Sequence, residues 1–222
     1  MLYMQERTKK TAFALGLVVI IALSGVAATT FAMNCMPRII RIACVGDSIT
    51  EGSGYTSNLQ MLLGYSYSVR NFGVSGSTAS TDSKIPYVNQ TKFQNALEFK
   101  PDIVVIMLGT NDANSEITYN VEGFEQDYAQ LVNAFAQLES EPDIIAVKSP
   151  PIFAANTAWN NTELTSTVIP SIEHFADQMN LETIDVYSAC EGHAEFFSDG
   201  IHPNDKGATV IASTVYDGLT SM

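Results

Sequence analysis

Short apolar runs alternate with amphipathic stretches along most of this chain. The apolar runs are rich in Val and Ile and predict buried β-strands at residues 39–45, 68–72, 103–108, 144–147 and 181–186. The stretches between them follow a helical period and predict helices at residues 58–63, 91–99, 124–138, 165–179 and 207–219. Strands that alternate with helices favour a parallel sheet covered on both faces. We therefore predict an α/β fold, a three-layer α/β/α sandwich, in a single domain over residues 33–222.

The first 32 residues have a different pattern. Basic residues lie within the first ten positions, an uncharged and mostly apolar stretch follows at 11–28, and Thr30 and Ala32 are small enough for a signal peptidase site. This pattern predicts a secretory signal peptide over residues 1–32 and a secreted or periplasmic protein. An uncleaved N-terminal membrane anchor is the alternative. A lipoprotein signal is disfavoured, because Met33 and Asn34 are poor neighbours for a lipid-bearing Cys35.

The charge of the chain limits its partners. The whole sequence has a formal net charge of −13, and removal of residues 1–32 leaves 8 basic against 23 acidic residues, a net charge of −15. A protein this acidic repels nucleic acids and anionic membrane surfaces. Solubility outside the cell explains the charge better than a dedicated acidic binding surface does.

Three cysteines are present. Cys44 lies within the first predicted strand and is most simply a small core residue. Cys35 and Cys190 could form one disulfide in an oxidising compartment, or both could stay reduced.

The first candidate for chemistry is Ser48, in Gly46-Asp47-Ser48, directly after the first predicted strand. Its hydroxyl would lie at the carboxyl end of that strand, where open α/β sheets place their sites. A serine at this position could equally begin a helix or a turn. The flanking residues do not form the Gly-x-Ser-x-Gly elbow of the α/β-hydrolases. A serine hydroxyl needs a base before it acts as a nucleophile, so the sequence must supply one.

Asp199-Gly200-Ile201-His202, near the end of the chain, supplies that base. A turn can bring the Asp199 carboxylate to Nδ1 of His202 and leave Nε2 free to face Ser48, which is the arrangement of a catalytic triad. The alternative is a turn in which Asp199 and His202 bond only the backbone. Pro203 and Asn204 then predict the start of the last helix.

Two further motifs could stabilise an oxyanion. Asn111, in Gly109-Thr110-Asn111-Asp112, follows the third strand and can direct its side-chain amide to the site. Gly73, in Asn71-Phe72-Gly73-Val74-Ser75-Gly76, lacks a side chain and can bring its backbone N–H close to a substrate. Ser48 can add its own N–H. An Asx turn at Asn111 and an ordinary turn at Gly73 are the alternatives.

The two remaining histidines are weaker candidates. His174 lies within a predicted helix and is expected to be structural or solvated, whereas His193 lies in an acidic loop. No cluster of residues has metal-ligand spacing, so neither a metal nor another cofactor is expected.

These motifs, in this order along the chain, resemble the SGNH hydrolases, also called the GDSL esterase family. The resemblance covers nearly all of the predicted domain. It implies a serine esterase with Ser48 as nucleophile, His202 as base and Asp199 as orienting acid. It also implies an oxyanion hole formed by Ser48, Gly73 and Asn111. The residues around the motifs look most like those of bacterial carbohydrate acetylesterases, including xylan, rhamnogalacturonan and sialic acid deacetylases.

The loop at residues 149–161 offers candidate substrate contacts. It is uncharged and contains Pro151, Phe153 and the single Trp of the chain, Trp159. Aromatic and amide side chains at the edge of a cleft suit a sugar ring, although they could equally cap the sheet. Asp47, beside the predicted nucleophile, is a further candidate contact.

We therefore expect a secreted acetylesterase that acts on a small-molecule or polysaccharide ester by an acyl-enzyme mechanism. The sequence has no long apolar insertion that could cover a fatty chain, which favours a short acyl group. A lipase, lysophospholipase or thioesterase of the same family is the first alternative. A non-catalytic carbohydrate-binding surface protein is the second, although such a protein commonly lacks one of the motifs present here.

Overall fold

A computed structural model of the chain describes residues 38–116, 121–155 and 157–222. Within the compact unit Ile39–Met222, the described residues form a five-stranded sheet of β1 (Ile40–Gly46), β2 (Tyr67–Gly73), β3 (Ile103–Met107), β4 (Asp143–Lys148) and β5 (Glu182–Asp185). The strand order is β2-β1-β3-β4-β5, and every neighbouring pair is parallel. The predicted α/β fold with a parallel sheet is confirmed.

Helices connect the strands. In chain order they are α1 (Ser48–Gly52), α2 (Tyr55–Leu63), α3 (Thr91–Glu98), α4 (Val121–Ala136), α5 (Asn161–Glu163), α6 (Ile169–Met179), α7 (Val186–Cys190) and α8 (Asp205–Ser221). Shorter turns of 3-10 helix lie at Tyr87–Asn89 and Ala194–Phe196, and a π-helical turn lies at Leu164–Val168.

The alternation of side chains along the strands creates two cores. On β1, Ala43 and Val45 face one side of the sheet and pack into a core with residues of α3, α4 and α6. Ile42 and Cys44 face the other side and pack into a core with residues of α1, α2 and α8. All four side chains are fully buried. A strand buried on both faces is the reason that the sequence shows a continuous apolar run rather than an alternating one.

Two of the predicted elements differ from those observed for reasons that the structure shows. The helix predicted at residues 165–179 is divided into the π-helical turn Leu164–Val168 and the helix α6. Pro170, at the start of α6, has no N–H to continue the hydrogen-bond ladder of the preceding turn. The strand predicted at residues 181–186 ends at Asp185, because the Asp185 carboxylate accepts the N–H of Ser188 at 2.8 Å and caps α7.

The carboxyl ends of β1, β2, β3 and β4 lie along one edge of the sheet. The chain runs from β1 outward to β2 and then returns past β1 to β3, so the direction of strand order changes beside β1. In open α/β sheets the crevice at such a switch point is where ligands bind. Ser48, Gly73 and Asn111 all lie at or just beyond the carboxyl end of a strand, at this edge.

The N-terminal predictions fall outside the part that the structure describes. These are the signal peptide or anchor at residues 1–32 and Cys35, one member of the possible disulfide with Cys190. Within the described residues, no helix has the length and apolar character needed to cross a membrane. Cys44 and Cys190 are both buried and free, and burial raises the pKa of the Cys190 thiol to about 11.

Candidate active site

Ser48 is the first residue of α1, directly beyond the end of β1. Asp47 caps this helix, with Oδ1 accepting the N–H of Ile49 at 2.9 Å. A side chain at Gly46 would overlap that of Thr50 and would place its Cβ 2.6 Å from the carbonyl oxygen of Met107. Glycine at position 46 therefore allows α1 to begin immediately after the strand, which holds Ser48 at the edge of the sheet.

Asp47 is not a substrate contact. Its side chain is almost fully buried, at 1% exposure, so the candidate role in binding is wrong. Burial raises the pKa of this carboxyl to about 7, with a smaller rise from the nearby Asp112, while the Ile49 N–H and His202 act in the opposite direction. Its Oδ2 has no hydrogen-bond partner among the described residues. Asp47 serves α1 as a cap, and its raised pKa brings its titration from the acid range to near neutral pH.

Ser48, His202 and Asp199 form a hydrogen-bonded chain. Nε2 of His202 lies 2.9 Å from Oγ of Ser48, and Nδ1 lies 2.7 Å from Oδ2 of Asp199. An ionised carboxylate only accepts hydrogen bonds, so Nδ1 carries the ring proton and Nε2 is free to accept the serine proton. The side chains of His202 and Asp199 are 48% and 57% exposed, so a substrate can reach the three hydrogen-bonded residues from solvent.

Asp199 is held as a carboxylate. Partial burial favours its neutral form, but the N–H groups of His202 and Ile201 and the His202 ring outweigh that effect and lower its pKa to about 2. Its Oδ1 accepts both N–H groups, at 2.7 and 2.9 Å. One oxygen is thus used to shape the turn and the other to orient the imidazole, so the two roles that the sequence left as alternatives occur together.

The turn at 199–202 is fixed from both sides. Ser198 donates to the carbonyl of His202 at 3.0 Å, which closes the turn. The carbonyl of Gly200 accepts the N–H groups of Phe153 and Ala154, at 2.7 and 3.1 Å. Gly200 has a φ of +83°, and a Cβ at this position would lie 2.5 Å from the nitrogen of Ala154. The turn therefore lies directly against the loop that follows β4.

The candidate substrate contacts in that loop separate into three roles. Pro151 is buried and does not line the cavity described below. Phe153 is partly buried; its backbone holds Gly200 and its ring packs against Phe197 with centroids 5.3 Å apart. Trp159 alone of the three lines a cavity, together with Asn111.

Asn111 lies between three loops. Its side chain is 8% exposed, with Nδ2 donating to the carbonyl of Ser77 at 2.9 Å and Oδ1 accepting the indole N–H of Trp159 at 3.1 Å. The next residue, Asp112, accepts the N–H groups of Ala79 and Ser80 at 3.1 and 2.9 Å. The loop after β3 is therefore tied to the loop after β2. The second N–H of Asn111 Nδ2 has no partner among the described residues and can meet an oxyanion.

Gly73 does not supply a free donor. It is buried, and its N–H donates to Oδ1 of Asn71 at 2.9 Å. A Cβ at Gly73 would lie 2.8 Å from the carbonyl oxygen of Asp47, so the glycine is needed for close packing against α1. The prediction of Gly73 as an oxyanion donor is therefore wrong: this N–H is satisfied within the protein.

Gly76, three residues further along the same motif, is the better donor. It is exposed, has a φ of +76° and lines the cavity with Asn111. In the described residues neither its N–H nor that of Ser48 has a hydrogen-bond partner. The preceding Ser75 is held through both its N–H and its hydroxyl by the carboxylate of Glu51 on α1. The sequence could have indicated Gly76, because it is the second glycine of the motif, but spacing alone does not tell which of the two N–H groups is free.

The cavity beside these donors has a volume of about 760 Å³. Its wall presents both apolar and polar surface, with contributions from the loops after β2, β3 and β4; the lining residues are Gly76, Thr78, Asp82, Ser83, Lys84, Ile85, Asn111, Asn114, Glu116 and Trp159.

The two other histidines lie apart from the triad contacts. Nδ1 of His174 lies 2.9 Å from Oε1 of Glu125, between α6 and α4. Nδ1 of His193 lies 2.9 Å from Oε1 of Glu195, and its ring stacks on Phe196 at 4.5 Å between centroids. Both therefore have local partners and neither hydrogen-bonds Ser48.

The chain is similar to an acetylxylan esterase of Xylanibacter ruminicola, with 35% identity over 202 residues that cover 79% of this chain and 42% of that protein. The chain thus spans about two fifths of the length of that curated relative.

Two solved structures share the fold. An aryl esterase of M. smegmatis superposes with a TM-score of 0.68 at 20% identity, covering 82% of this chain and 99% of that one. A carbohydrate acetylesterase family member from Sinorhizobium meliloti superposes with a TM-score of 0.65 at 22% identity, covering 82% and 98%. The profile of one protein family, the GDSL-like lipases/acylhydrolases, matches residues 44–210, which include Ser48, Asn111, Asp199 and His202. The chain therefore belongs to the GDSL-like lipase/acylhydrolase family.

Proposed function

We propose that this protein is a serine esterase that removes acetyl groups from a carbohydrate through an acyl-enzyme intermediate. The observation that carries the proposal is the hydrogen-bonded chain from Ser48 Oγ through His202 to Asp199, with distances of 2.9 and 2.7 Å. This is the geometry in which a base can remove a serine proton while a carboxylate stabilises the resulting imidazolium.

In the first half of the reaction, Ser48 Oγ attacks the ester carbonyl carbon and its proton passes to Nε2 of His202. The tetrahedral intermediate collapses when the bond to the sugar oxygen breaks, and that oxygen takes the proton from Nε2. In the second half, water attacks the acyl-Ser48 ester and gives a proton to the same nitrogen. When the second tetrahedral intermediate collapses, the bond from the acyl carbon to Ser48 Oγ breaks, Oγ takes the proton back from Nε2, and acetate is released.

The carbonyl oxygen becomes negatively charged in both halves. The donors available to it are the N–H groups of Ser48 and Gly76 and the second N–H of Asn111 Nδ2. All are fixed before substrate binds, Asn111 by Ser77 and Trp159. Preorganised donors of this kind stabilise a developing oxyanion without reorganising in the reaction.

The charged and amide groups in the cavity wall favour a carbohydrate over a fatty chain. Asp82, Lys84 and Glu116 contribute charged side chains to its wall and Asn114 contributes an amide. A long alkyl chain would desolvate these groups without offering hydrogen bonds, which is unfavourable. Sugar hydroxyls can satisfy them, and Trp159 offers an aromatic face. The similarity to an acetylxylan esterase favours an acetylated glycan of this kind.

The chemistry is tested by hydrolysis of p-nitrophenyl acetate. We expect turnover by the wild type and its loss in Ser48→Ala, whereas Ser57→Ala, at an exposed position on α2, serves as a matched control with unchanged rates. Equal turnover by Ser48→Ala and the wild type would end the esterase proposal. No turnover by the wild type on any ester would instead favour a non-catalytic binding protein.

The substrate class is tested separately. Rates with acetyl, butyryl and octanoyl p-nitrophenyl esters are compared, followed by acetate release from a panel of acetylated glycans that includes acetylated xylan. We expect the acetyl ester to be the best of the series and at least one glycan to release acetate. A maximum at octanoyl or longer esters would support a lipase or thioesterase instead.

We also propose that the protein acts outside the cytoplasm, exported through residues 1–32. The basic, then apolar, then small-residue pattern of that segment supports the proposal. Mass spectrometry of the protein from its secreting host is expected to find a chain that begins after Ala32. An intact N-terminus in the membrane fraction would indicate an anchor instead.

A further inference from the structure

The loop after β4 reaches across to the loop after β3 and pairs with it. Asn114 and Trp159 form an antiparallel bridge. On either side of it, Ser115 donates to the carbonyl of Ala158 at 2.8 Å and Asn160 donates to the carbonyl of Ala113 at 3.1 Å. This short pairing holds the backbone of Trp159 opposite Asn114, which lies three residues after Asn111 in the loop that follows β3.

The side chains then meet in only one chemically consistent way. The indole Nε1–H of Trp159 is a donor and cannot accept, so it must face the oxygen of the Asn111 amide, as it does at 3.1 Å. The carbonyl of Ser77 only accepts, so it must face Nδ2, as it does at 2.9 Å. A rotated amide would set N–H against N–H and oxygen against oxygen. The pair of partners therefore determines which end of Asn111 points toward the cleft.

Asn111 cannot hold this orientation alone. Rotation about the terminal bond of an asparagine side chain is soft, with broad preferences. Without the indole, a single hydrogen bond to Ser77 would remain to distinguish the two ends of the amide, and the buried Oδ1 would lose its donor, which is costly at 8% exposure.

We propose that Trp159 is a positioning residue, whose indole N–H fixes the side-chain amide of Asn111 so that Nδ2 faces the oxyanion. This inference rests on the proposed esterase function and assigns Trp159 a role in the chemical step. A platform for a sugar ring is a different role, which depends on the aromatic face and not on the N–H. The two roles make different demands on the side chain, so substitutions can separate them.

Trp159→Phe retains an aromatic face and removes the N–H. With p-nitrophenyl acetate, which has no sugar, we expect kcat to fall about five- to tenfold, the equivalent of one hydrogen bond, with KM nearly unchanged. Tyr187→Phe is the matched control: it removes the hydroxyl that accepts Asn161 Nδ2 at 3.0 Å in the same loop, without touching Asn111. Its kcat is expected to match the wild type. A Trp159→Phe enzyme with wild-type kcat would overturn the proposal.

A double-mutant cycle tests whether Trp159 acts through Asn111. Once Asn111→Ala has removed the amide, Trp159→Phe has nothing left to orient, and we expect no further loss of kcat. Losses that multiply would show that Trp159 supports the fold or the substrate independently, and would overturn the proposal.

A third measurement needs no activity. The chain has a single Trp, so ¹⁵N-labelled protein gives one indole N–H signal in NMR spectra. We expect Asn111→Ala to shift this signal and to speed its exchange with solvent, and Tyr187→Phe to leave it in place. An indole signal that ignores Asn111→Ala would refute the contact even if the esterase function holds. Conversely, the failure of the esterase function itself would be seen in the wild type and Ser48→Ala.

Discussion

Replacing Gly200 by alanine should displace His202 from Ser48 while leaving the rest of the fold in place. A Cβ at Gly200 would lie 2.5, 2.7 and 2.9 Å from backbone atoms of Ala154 and Phe153, none of which belongs to a flexible side chain. Ordinary contacts begin at 3.4 Å, so the two loops must separate by about 0.9 Å. The carbonyl of Gly200 also accepts two hydrogen bonds from those residues, which this movement weakens.

The expected loss follows from the length of the bond between Nε2 of His202 and Oγ of Ser48. A displacement of about 0.9 Å along this 2.9 Å bond would take the two atoms beyond hydrogen-bond distance. Misplacement of reacting groups by about 1 Å can cost a factor of roughly 10² in rate. We therefore expect kcat of Gly200→Ala for p-nitrophenyl acetate to fall about 10²-fold. The φ of +83° adds a destabilisation of about 1–2 kcal/mol.

Gly192→Ala separates these two effects. Gly192 has a nearly equal φ of +78°, but a Cβ there would meet no atom within 4 Å. This control should show only the loss in the free energy of unfolding that the positive φ causes, about 1–2 kcal/mol by urea denaturation, and an unchanged kcat. The reasoning fails if both variants have wild-type rates, because the loop would then move without disturbing the triad. It also fails if Gly192→Ala is as inactive as Gly200→Ala.

Three other predictions concern the acids around the site. Asp47 binds its proton more tightly in the folded protein, since burial raises its pKa from 3.8 to about 7. Its contribution to the free energy of unfolding therefore falls as pH rises from about 4 to about 7. The urea midpoint of Asp47→Asn should fall less over this pH range than that of the wild type. An unchanged pH dependence would contradict the assignment. Glu51→Ala removes the acceptor that holds Ser75 and so loosens the neighbouring donor, the N–H of Gly76; kcat should fall about three- to tenfold. Glu51→Gln keeps an acceptor and should recover part of the rate. Equal rates for both variants would argue against a role for the acceptor. Asp199→Asn removes the carboxylate that fixes the imidazole proton on Nδ1, so kcat should fall by about 10³–10⁴ with little change in melting temperature, and a loss below tenfold would exclude Asp199 as the orienting acid.

The strands and the order of the motifs could be predicted because they depend on local information. A strand buried on both faces leaves a continuous apolar run, and β1 differs from its predicted range by one residue at each end. The contact between Asp199 and His202 spans three residues, so their spacing indicated it. Helix starts were less well predicted, and α1 was missed as a helix because five residues are too few to show a period.

The sequence by itself determined the α/β class and the position of Ser48 after the first strand, and it indicated the pairing of His202 with Asp199. Only the tertiary structure decided which polar groups remain free. Gly73 and Gly76 are equivalent in sequence, but Asn71 satisfies the N–H of one and leaves the other open to the cleft. Likewise, Asn111 and Trp159 are 48 residues apart and meet only because two loops pair. A hydrogen-bonding group is available for chemistry when no internal partner claims it, and those partners come from distant parts of the chain.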